Sequence, residues 1–421
     1  MRGSPCIVSL LVVATSVAIP DPAPSFTPPV YTLDLDEPAA SRWDHIAKDF
    51  VDKMPAVIEY FDSFIPAWVL PLIEVVAGQL TSYFSDYGEE MIGVAEALKV
   101  PKGLVVMLNL VMQLEAIGVN CSNWNTTGPT QKDDPGCVAV DPSQKWCYCD
   151  EARAAGATFS PEGITKVGRL PFNYSGPGLC TSVVAEDPSG KILLGRNLDW
   201  NLPKPVRELL IDIDFVKGGK KLFRGTGAAG IQGVVNGMSY SGAVGGREGR
   251  GWAASINARG KGGKLLPNML QSLLVHSMTP TQHLRKVLET TADFEGAISD
   301  LSSTAQIDEN YFIVAGTASG EGAVVTRGRE RAVDVWRLNH TNPDGWFRLQ
   351  TNFDHWNPVP VFDDRRNPGI AHMKALGQAN LTPAAMWAII ETWPNWNDHT
   401  DYSLVTTAAD AAYNSTVWMQ E

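Results

Sequence analysis

The sequence predicts an α+β fold built in four layers, α/β/β/α, joined to an N-terminal helical region. Three observations support this prediction. Apolar residues recur at three- and four-residue steps within residues 41–118, a spacing typical of helices. Strand-like runs begin at residue 180 and return at residue 310. The order of strands, helices, strands and a helix favours stacked layers over alternating βαβ units.

The composition indicates a globular protein with a sizeable core. The chain has 421 residues, of which 44% are hydrophobic and 19% are charged, enough for one large domain or two average ones. Its net charge is −12 and it contains no basic run. Nucleic acid is therefore not an expected partner.

Residues 1–18 predict a secretory signal peptide. Arg2 precedes a short apolar run, and small residues at 16–18 offer a cleavage point. The run is too short for a typical membrane span, so a signal anchor is the weaker alternative. The Pro-rich segment 21–29 predicts a flexible start to the mature chain. Localisation in the secretory pathway, lysosomal or extracellular, is expected. Six Asn-x-Ser/Thr sequons predict a glycoprotein: Asn120, Asn125, Asn173, Asn339, Asn380 and Asn414.

Residues 19–118 predict a helical region, assigned below to an α-subunit. Pro101 favours the start of one helix because its fixed φ suits a first turn. These helices are unusually apolar, which favours core packing; a peripheral membrane contact is the alternative. One helical face is formed by Trp43, Ile46, Phe50, Met54, Val57, Ile58 and Phe61.

Residues 119–179 predict a surface insertion that ends in a cleavable loop. The segment is rich in Asn, Thr, Gly, Pro and Cys and has little periodicity. Two disulfides, in one of three pairings, are expected among Cys121, Cys137, Cys147 and Cys149. A zinc site is the poorer interpretation because the CxC spacing has no histidine nearby. Cys180 is then left as an unpaired thiol.

Residues 180–421 predict the layered part of the chain, beginning with a hairpin. A two-residue turn at Ser189-Gly190 would place Cys180 opposite Asp199, within about 5 Å. Arg196 would then point to the other face of the sheet. A bulge at Gly195 is expected to turn it back toward the thiol.

The remaining elements follow in order. A second hairpin is predicted around Gly218-Gly219. Helices are expected in LLPNMLQSLLVHS, TQHLRKVLETT, FEGAISDLSS and TPAAMWAIIETW. Strands are expected in NYFIVAG, GAVVTRG, AVDVWRL and WFRLQTN.

Cys180 has two interpretations. A free thiol is commonly a buried core residue. The alternative is a nucleophile whose reactive thiolate is stabilised by a nearby cation, although Arg196 has a rival role as a surface partner of Glu186 or Asp187. No histidine lies near this hairpin in sequence. Cleavage between Leu179 and Cys180 would free an α-amino group, with a pKa near 8, as the base.

The run CTSVVAED followed by GRNLDW resembles the N-terminal nucleophile hydrolases of the N-acylethanolamine acid amidase and acid ceramidase family. QTNFDHW, VFDDRRNP, NYFIVAGTASGEGAVVTR and GQANLT also match. The resemblance implies a four-layer αββα hydrolase that cleaves itself into α and β subunits, the catalytic one beginning at Cys180. It implies Cys180 as nucleophile, Arg196 and Asp199 as supporting residues, Asn352 as an active-site amide and Arg365 as a site arginine.

Two departures from the family pattern stand out. The segment LNLVMQLE, residues 108–115, resembles the last helix of the family's α-subunit. Cys121 lies at the distance from this helix at which the family places its nucleophile, but it is not followed by an arginine at the matching spacing or by a GRNLD segment. Cys180 is therefore preferred. Ala258 stands where the family has a glutamate. Asn257 beside it is expected to bind substrate by donating to the oxyanion, or to be an ordinary strand residue.

The resemblance implies hydrolysis of linear fatty amides of the N-acylethanolamine type, with no metal or cofactor. The apolar helices would form part of the acyl channel. Sphingosine amides are the first alternative substrate. A weak or inactive relative that binds lipid without turning it over is the second alternative, because Ala258 replaces the glutamate.

Overall fold

The computed structural model describes most of the chain. It covers residues 24–64, 70–79, 81, 84, 87–110, 158–160, 163–166, 179–240, 250–259, 277–359 and 364–420. Several predictions fall elsewhere. The signal peptide, the cysteines at 121, 137, 147 and 149, and all but the last residue of the helix expected at 265–277 lie outside the described residues. Within the predicted insertion the described residues are a small antiparallel pair, β3 (Thr158–Ser160) with β4 (Gly163–Lys166), and Leu179, which begins the next strand.

Two sheets form the centre of the molecule. The six-stranded sheet contains, in spatial order, β1 (Ser25–Phe26), β16 (Ala412–Trp418), β15 (Thr400–Thr407), β6 (Ile192–Asp199), β5 (Leu179–Glu186) and β14 (Phe347–Gln350). The eight-stranded sheet contains β13 (Ala332–Arg337), β12 (Gly322–Arg327), β11 (Asn310–Ala315), β10 (Ala253–Ala258), β9 (Asn236–Ser239), β8 (Lys220–Ala228), β7 (Leu210–Lys217) and β2 (Val30–Asp34).

The two sheets pack face to face, and helices cover their outer faces. α7 (Pro280–Thr290) and α8 (Phe294–Ser303) lie on the eight-stranded sheet; α9 (Arg366–Leu376) and α10 (Pro383–Ile390) lie on the six-stranded sheet. This arrangement confirms the predicted α+β class and its four αββα layers. One-residue alternation therefore sends neighbouring side chains of β5 and β6 either between the sheets or toward α9 and α10.

The N-terminal region is largely helical, as predicted. Its helices are α1 (Asp44–Lys48), α2 (Met54–Phe64), α3 (Leu70–Gly78), α4 (Gly88–Leu98) and α5 (Lys102–Asn109). The short helix α6 (Lys204–Arg207) follows later in the chain, between β6 and β7. On the predicted apolar face, six side chains are buried and Ile58 is partly buried. No helix among these or the other described residues is long and apolar enough to cross a membrane.

The N-terminal segment also contributes a strand to each sheet, which the sequence analysis did not predict. Ser25 and Phe26 pair with β16, so the expectation that segment 21–29 is a flexible start is wrong for these residues. β2 lies parallel to β7 at the edge of the eight-stranded sheet. Short segments of this kind carry little local signal, because their pairing partner lies far away in the chain.

The hairpin β5–β6 has a different register from the one predicted. Leu179 lies opposite Asp199, and Cys180 lies opposite Leu198. The loop holds one residue more than expected, since Gly190 adopts φ +87° after the turn from Asp187, as in three-residue hairpin loops that end in a left-handed glycine. The predicted bulge at Gly195 is absent: Gly195 pairs regularly with Val183.

The other predicted elements within the described residues are present, and several further elements had not been predicted. The hairpin β7–β8 turns at Gly218 and Gly219, both with positive φ. α7, α8, α10 and β11–β14 lie where the periodicity places them. The sequence analysis missed α9 and the C-terminal strands β15 and β16. β15 pairs with β6 and thus lies close to the candidate site.

Candidate active site

Cys180 lies near the start of β5, between β14 and β6. Its side chain faces the eight-stranded sheet and is only 2% exposed. Because Cys180 is paired with Leu198 and Ser182 with Arg196, all four side chains share this inner face. The predicted meeting of Cys180 and Arg196 is therefore produced by the register, and it requires no bulge.

Arg196 is buried and directed at the thiol. Its Nη2 lies 3.4 Å from Cys180 Sγ, and its Nη1 donates to the carbonyl oxygen of Val235 at 3.0 Å. The guanidinium is 1% exposed. The alternative that Arg196 is a surface partner of Glu186 or Asp187 is therefore wrong.

Burial dominates the protonation of the thiol. Removal from water raises the pKa of Cys180, while the neighbouring Arg196 lowers it and Asp199 raises it. The net shift is upward, so the thiol is protonated at neutral pH in this form of the chain. A protonated thiol is a weak nucleophile, and Arg196 is the group placed to favour its ionisation.

Asn352 binds the backbone nitrogen of Cys180. It follows β14 in the chain, and its Oδ1 accepts a hydrogen bond from Cys180 N at 2.8 Å. Its Nδ2 donates to the carbonyl oxygen of Ala258 at 2.9 Å. The side-chain amide thus joins the strand that carries the thiol to the end of β10.

Asp199 and Arg365 lie on the opposite face of the hairpin. Arg365 donates to Asp199 Oδ2 at 3.0 Å, to Asn352 Oδ1 at 2.7 Å and to Thr181 Oγ1 at 3.2 Å. Thr400 donates to the other oxygen of Asp199 at 2.7 Å. The pair therefore supports Asn352 from behind; Arg365 is buried and contacts protein groups rather than open space.

Asn257 lies near the thiol, but its amide is engaged. Its Nδ2 donates to the Gln350 carbonyl at 2.9 Å, and its Oδ1 accepts from Ser182 Oγ at 2.7 Å. In this arrangement Asn257 links the two sheets. Alternation along β10 turns the Cβ of Ala258 away from the face that carries Asn257.

An apolar cavity begins beside the hairpin and extends toward the N-terminal helices. It encloses about 50 Å³, well below the volume of pockets that hold drug-sized ligands. Its walls include Leu198, which faces Cys180 across the hairpin, and Tyr60 and Phe61 of α2. Trp200 and Leu202 line it from the loop after β6.

Several groups around the site had no signal in the sequence. Asn236 contacts Arg196, and Thr400 contacts Asp199. Asp401 is a bulge residue of β15 that accepts from the backbone nitrogens of Trp200 and Leu202 and pairs with Arg207. Their distance from Cys180 along the chain concealed them. Among the described residues, no cluster of three or more His, Cys, Asp or Glu side chains is arranged to hold a metal ion.

Comparison with known proteins finds similarity to acid amidases and acid ceramidases. A family model described as the beta subunit of N-acylethanolamine-hydrolyzing acid amidase matches residues 26–84. That segment precedes Cys180 and lies in the region predicted as the α-subunit, so the subunit boundaries stay a prediction.

Two curated relatives match nearly the whole chain. N-acylethanolamine-hydrolyzing acid amidase of Rattus norvegicus is 29% identical over 389 residues, covering 91% of this chain and 87% of the relative. Acid ceramidase of Homo sapiens is 25% identical over 445 residues, covering 96% and 94%. A solved structure of the Caenorhabditis elegans ortholog of N-acylethanolamine-hydrolyzing acid amidase is 30% identical, with a TM-score of 0.49, and covers 57% of this chain and 99% of that chain. With such identity on both sides of residue 180, the chain belongs to the family of N-acylethanolamine-hydrolyzing acid amidases and acid ceramidases.

Proposed function

We propose that this protein is a lipid amidase that activates itself by cleaving the bond between Leu179 and Cys180. The family membership supports an amide hydrolase. The observation that carries the proposal is the position of Cys180: its Sγ lies 3.4 Å from Arg196 Nη2 while its backbone nitrogen is held by Asn352 Oδ1. The sulfur and the nitrogen of one residue are thus each provided with a partner.

Self-cleavage uses both of these atoms. Cys180 Sγ loses its proton and attacks the carbonyl carbon of Leu179. The carbon–nitrogen bond breaks as the acyl group moves to sulfur, and the nitrogen takes up the proton. Water then hydrolyses the thioester, leaving a carboxylate on Leu179 and an α-amino group on Cys180. Asn352 Oδ1, which accepts from the amide nitrogen, is placed to accept from the new amine.

Turnover repeats this chemistry on a lipid amide. The Cys180 thiolate attacks the substrate carbonyl, and the α-amino group accepts the thiol proton and returns it to the leaving amine. Water hydrolyses the acyl thioester and releases the fatty acid. An α-amino group has an unperturbed pKa near 8, which suits both steps of this transfer.

The oxyanion needs a donor, and Asn352 is the candidate that we favour. Its Nδ2 donates to the Ala258 carbonyl in this form, so substrate binding would have to exchange that contact for the oxyanion. Asn257 is the weaker candidate, because Gln350 and Ser182 already occupy its amide. We assign Asn257 to positioning of the inter-sheet face and Arg365 to support of Asn352, rather than to direct binding of substrate.

The cavity supports an apolar acyl group as the part of the substrate that is bound. It lies between the hairpin and α2, and its lining is almost wholly apolar. At about 50 Å³ it is closed to a fatty chain, so cleavage or substrate binding has to widen it. Peripheral membrane contact through the N-terminal helices is part of this proposal and is supported by Val75 of α3, an apolar side chain that is 52% exposed.

N-acylethanolamine-type amides are the preferred substrates, and sphingosine amides the second candidate, since acid ceramidases match the chain over comparable lengths. The secretory pathway, with a lysosomal or extracellular destination, remains the proposed location. The α and β subunits would stay partners of one another after cleavage, because residues before and after Cys180 share both sheets.

The first test is cleavage itself. The purified secreted protein is incubated at about pH 4.5 and about pH 7.5, and every fragment is sequenced from its N-terminus. A fragment that begins CTSVVAED, present in the wild type and in the turn control Ser189→Ala but absent from Cys180→Ala, supports the proposal. Release of fatty acid is then compared between an N-acylethanolamine and a sphingosine amide. A chain that remains intact, or is cut regardless of Cys180, would leave lipid binding without turnover as the better reading.

A further inference from the structure

The guanidinium of Arg196 is buried among neutral groups. Among the described residues, no carboxylate forms an ion pair with it, and its Nε has no hydrogen-bond partner. Its contacts are the carbonyl oxygen of Val235, the side chain of Asn236 and Cys180 Sγ. A buried cation without a carboxylate is costly, and the anion best placed to compensate it is the thiolate of Cys180.

Asn236 fixes the direction of this cation. It lies in β9, is fully buried, and its Oδ1 accepts from Arg196 Nη1 at 3.1 Å. The neighbouring Val235 carbonyl accepts from the same nitrogen at 3.0 Å. With Nη1 held by two oxygens of the eight-stranded sheet, the other terminal nitrogen, Nη2, points across to the sulfur of the six-stranded sheet.

A chain of hydrogen bonds determines which way the Asn236 amide faces. Asp212 accepts from Thr226 Oγ1 at 2.6 Å. Thr226 Oγ1 has then given its only proton, so it accepts from Tyr413 OH at 2.7 Å. Tyr413 in turn accepts from Asn236 Nδ2 at 2.5 Å. The amide nitrogen is therefore committed to Tyr413, and the amide oxygen faces Arg196.

We propose that Asn236 is a positioning residue for the nucleophile: its neutral amide holds the Arg196 guanidinium against Cys180 Sγ and leaves the positive charge available to the sulfur. This inference rests on the proposed role of Cys180. An aspartate would hold the guanidinium equally well, but its charge would compensate the cation. Neutrality at position 236 is thus the functional requirement.

The other charges that act on the thiol lie on the opposite face of the hairpin, one on its own sheet and one in the segment before α9. Asp199 opposes ionisation of Cys180 and Arg365 favours it, and both act in addition to Arg196. These two groups form an ion pair with each other at 3.0 Å, so their effects largely cancel. A new charge at position 236 is separated from the sulfur only by the Arg196 guanidinium, and its effect is not offset in this way.

The test compares Asn236→Asp with Asn236→Ala. Full-length protein is pulsed with iodoacetamide from about pH 4.5 to about pH 11, a range that reaches above the raised pKa of the buried thiol, and alkylation of Cys180 is quantified by peptide mapping. Mapping separates the two forms, since only cleaved protein yields a peptide that starts at Cys180. Asn236→Asp should raise the midpoint of Cys180 alkylation by about one pH unit, and lower the rate about tenfold below it. Asn236→Ala should leave the midpoint within a few tenths of a unit and slow self-cleavage about tenfold.

Two results would overturn the inference. One is an unshifted midpoint in folded Asn236→Asp, which would mean that charge at this position does not reach the sulfur. The other is wild-type self-cleavage in Asn236→Ala, which would mean that Arg196 needs no such support. If Asn236→Asp fails to fold, the rate of self-cleavage in Asn236→Ala still tests whether Arg196 needs the support of Asn236. The midpoint is measured without any lipid substrate. A wild-type protein that neither cleaves itself nor hydrolyses amides would therefore refute the proposed function, while the alkylation midpoint of Asn236→Asp would still test this inference.

Discussion

Arg196 and Cys180 face each other within one hairpin, with Nη2 at 3.4 Å from Sγ. Both side chains lie between the two sheets because Gly190 lengthens the loop and sets their register. The cation is positioned before any reaction begins, so no reorganisation is needed when charge develops on sulfur. Its burial opposes folding, which is the trade-off expected of a group retained for chemistry.

Replacing Arg196 by methionine tests this trade-off. Methionine fills a similar volume without a charge, so the midpoint of thermal unfolding should stay within a few degrees of the wild type. Self-cleavage should slow by roughly 10- to 100-fold, the value of a charged hydrogen bond of about 1.5–3 kcal/mol. Differential scanning calorimetry measures the midpoint of thermal unfolding, and the rate of fragment appearance measures self-cleavage. A variant that cleaves normally would show that Arg196 has no part in the reaction.

The β5–β6 hairpin shows how much of the candidate site could be predicted from the sequence. Cys180, Arg196, Asp199 and Asn352 were all identified from their motifs, and the structure brings them together. The predicted register was off by one residue, since the choice between a two- and a three-residue loop depends on the φ of Gly190. That single error exchanged the faces of the sheet and led to an unnecessary bulge at Gly195.

The supporting residues show what a sequence pattern cannot supply. Asn236, Tyr413 and Asp401 have no motif, and each becomes relevant only through a contact across the two sheets or along their edges. β15 pairs with β6 of the hairpin and β16 pairs with β15, but neither strand was predicted, because polar residues interrupt their alternation. Periodicity records burial along one element, whereas these contacts depend on how elements are stacked.

Asp199 and Arg365 should make coupled contributions to the free energy of unfolding, because they form a buried ion pair. Arg365→Met leaves a buried carboxylate without its cation and should lower the free energy of unfolding by about 3–5 kcal/mol. Asp199→Asn should lower it less, because Arg365 keeps Asn352 and Thr181 as acceptors. The double variant should recover at least about 1 kcal/mol relative to the sum of the single changes. Denaturant unfolding of all four proteins measures the coupling, and strict additivity would contradict it.

Asp401 should make the fold more stable in acid. Burial raises the pKa of Asp401 to about 8, although Arg207 lowers it. The folded state then holds a proton that the unfolded chain releases above about pH 4, so this contribution is complete below that pH and is lost as the pH rises through 8. The free energy of unfolding should therefore fall by several kcal/mol as the pH rises from about 4 to about 8. Asp401→Asn should flatten that slope, while the exposed Asp398→Asn, three residues away, should leave it unchanged.

His283 should make the fold less stable in acid, the opposite of the effect expected for Asp401. Burial lowers its pKa to about 4, against an ordinary value of 6.5, and its Nδ1 lies 3.0 Å from Gln306 Oε1. The unfolded chain takes up a proton that the folded chain refuses, so the contribution is complete above about pH 6.5 and is lost as the pH falls through 4. The loss should approach about 3 kcal/mol. His283→Asn should remove it, with the exposed His45→Gln as control; equal acid sensitivity in both variants would contradict the assignment.

Glu90 and Arg285 should hold the two products of self-cleavage together. Glu90 in α4 accepts from Arg285 Nη1 at 2.6 Å and Nη2 at 2.7 Å, and from Trp43 Nε1 at 2.6 Å. Both charged side chains are 1% exposed, and cleavage before Cys180 would place them on separate chains. Glu90→Leu removes the carboxylate that pairs with both terminal nitrogens of Arg285, which keeps Glu289 at 2.8 Å, and should cost about 1.5–3 kcal/mol. Replacing Arg285 by methionine as well should restore much of the loss.

The readout is co-elution of the two fragments on size-exclusion chromatography at increasing urea. The single variant should dissociate at a lower urea concentration than either the wild type or the double variant. Glu295→Gln is the matched control, since it removes the ion pair with Arg337 on the surface, where such pairs contribute about 1 kcal/mol at most. Co-elution that is insensitive to Glu90→Leu would assign the association to β1 and β2 instead, because these N-terminal strands hydrogen-bond to β16 and β7, which follow Cys180 in the chain.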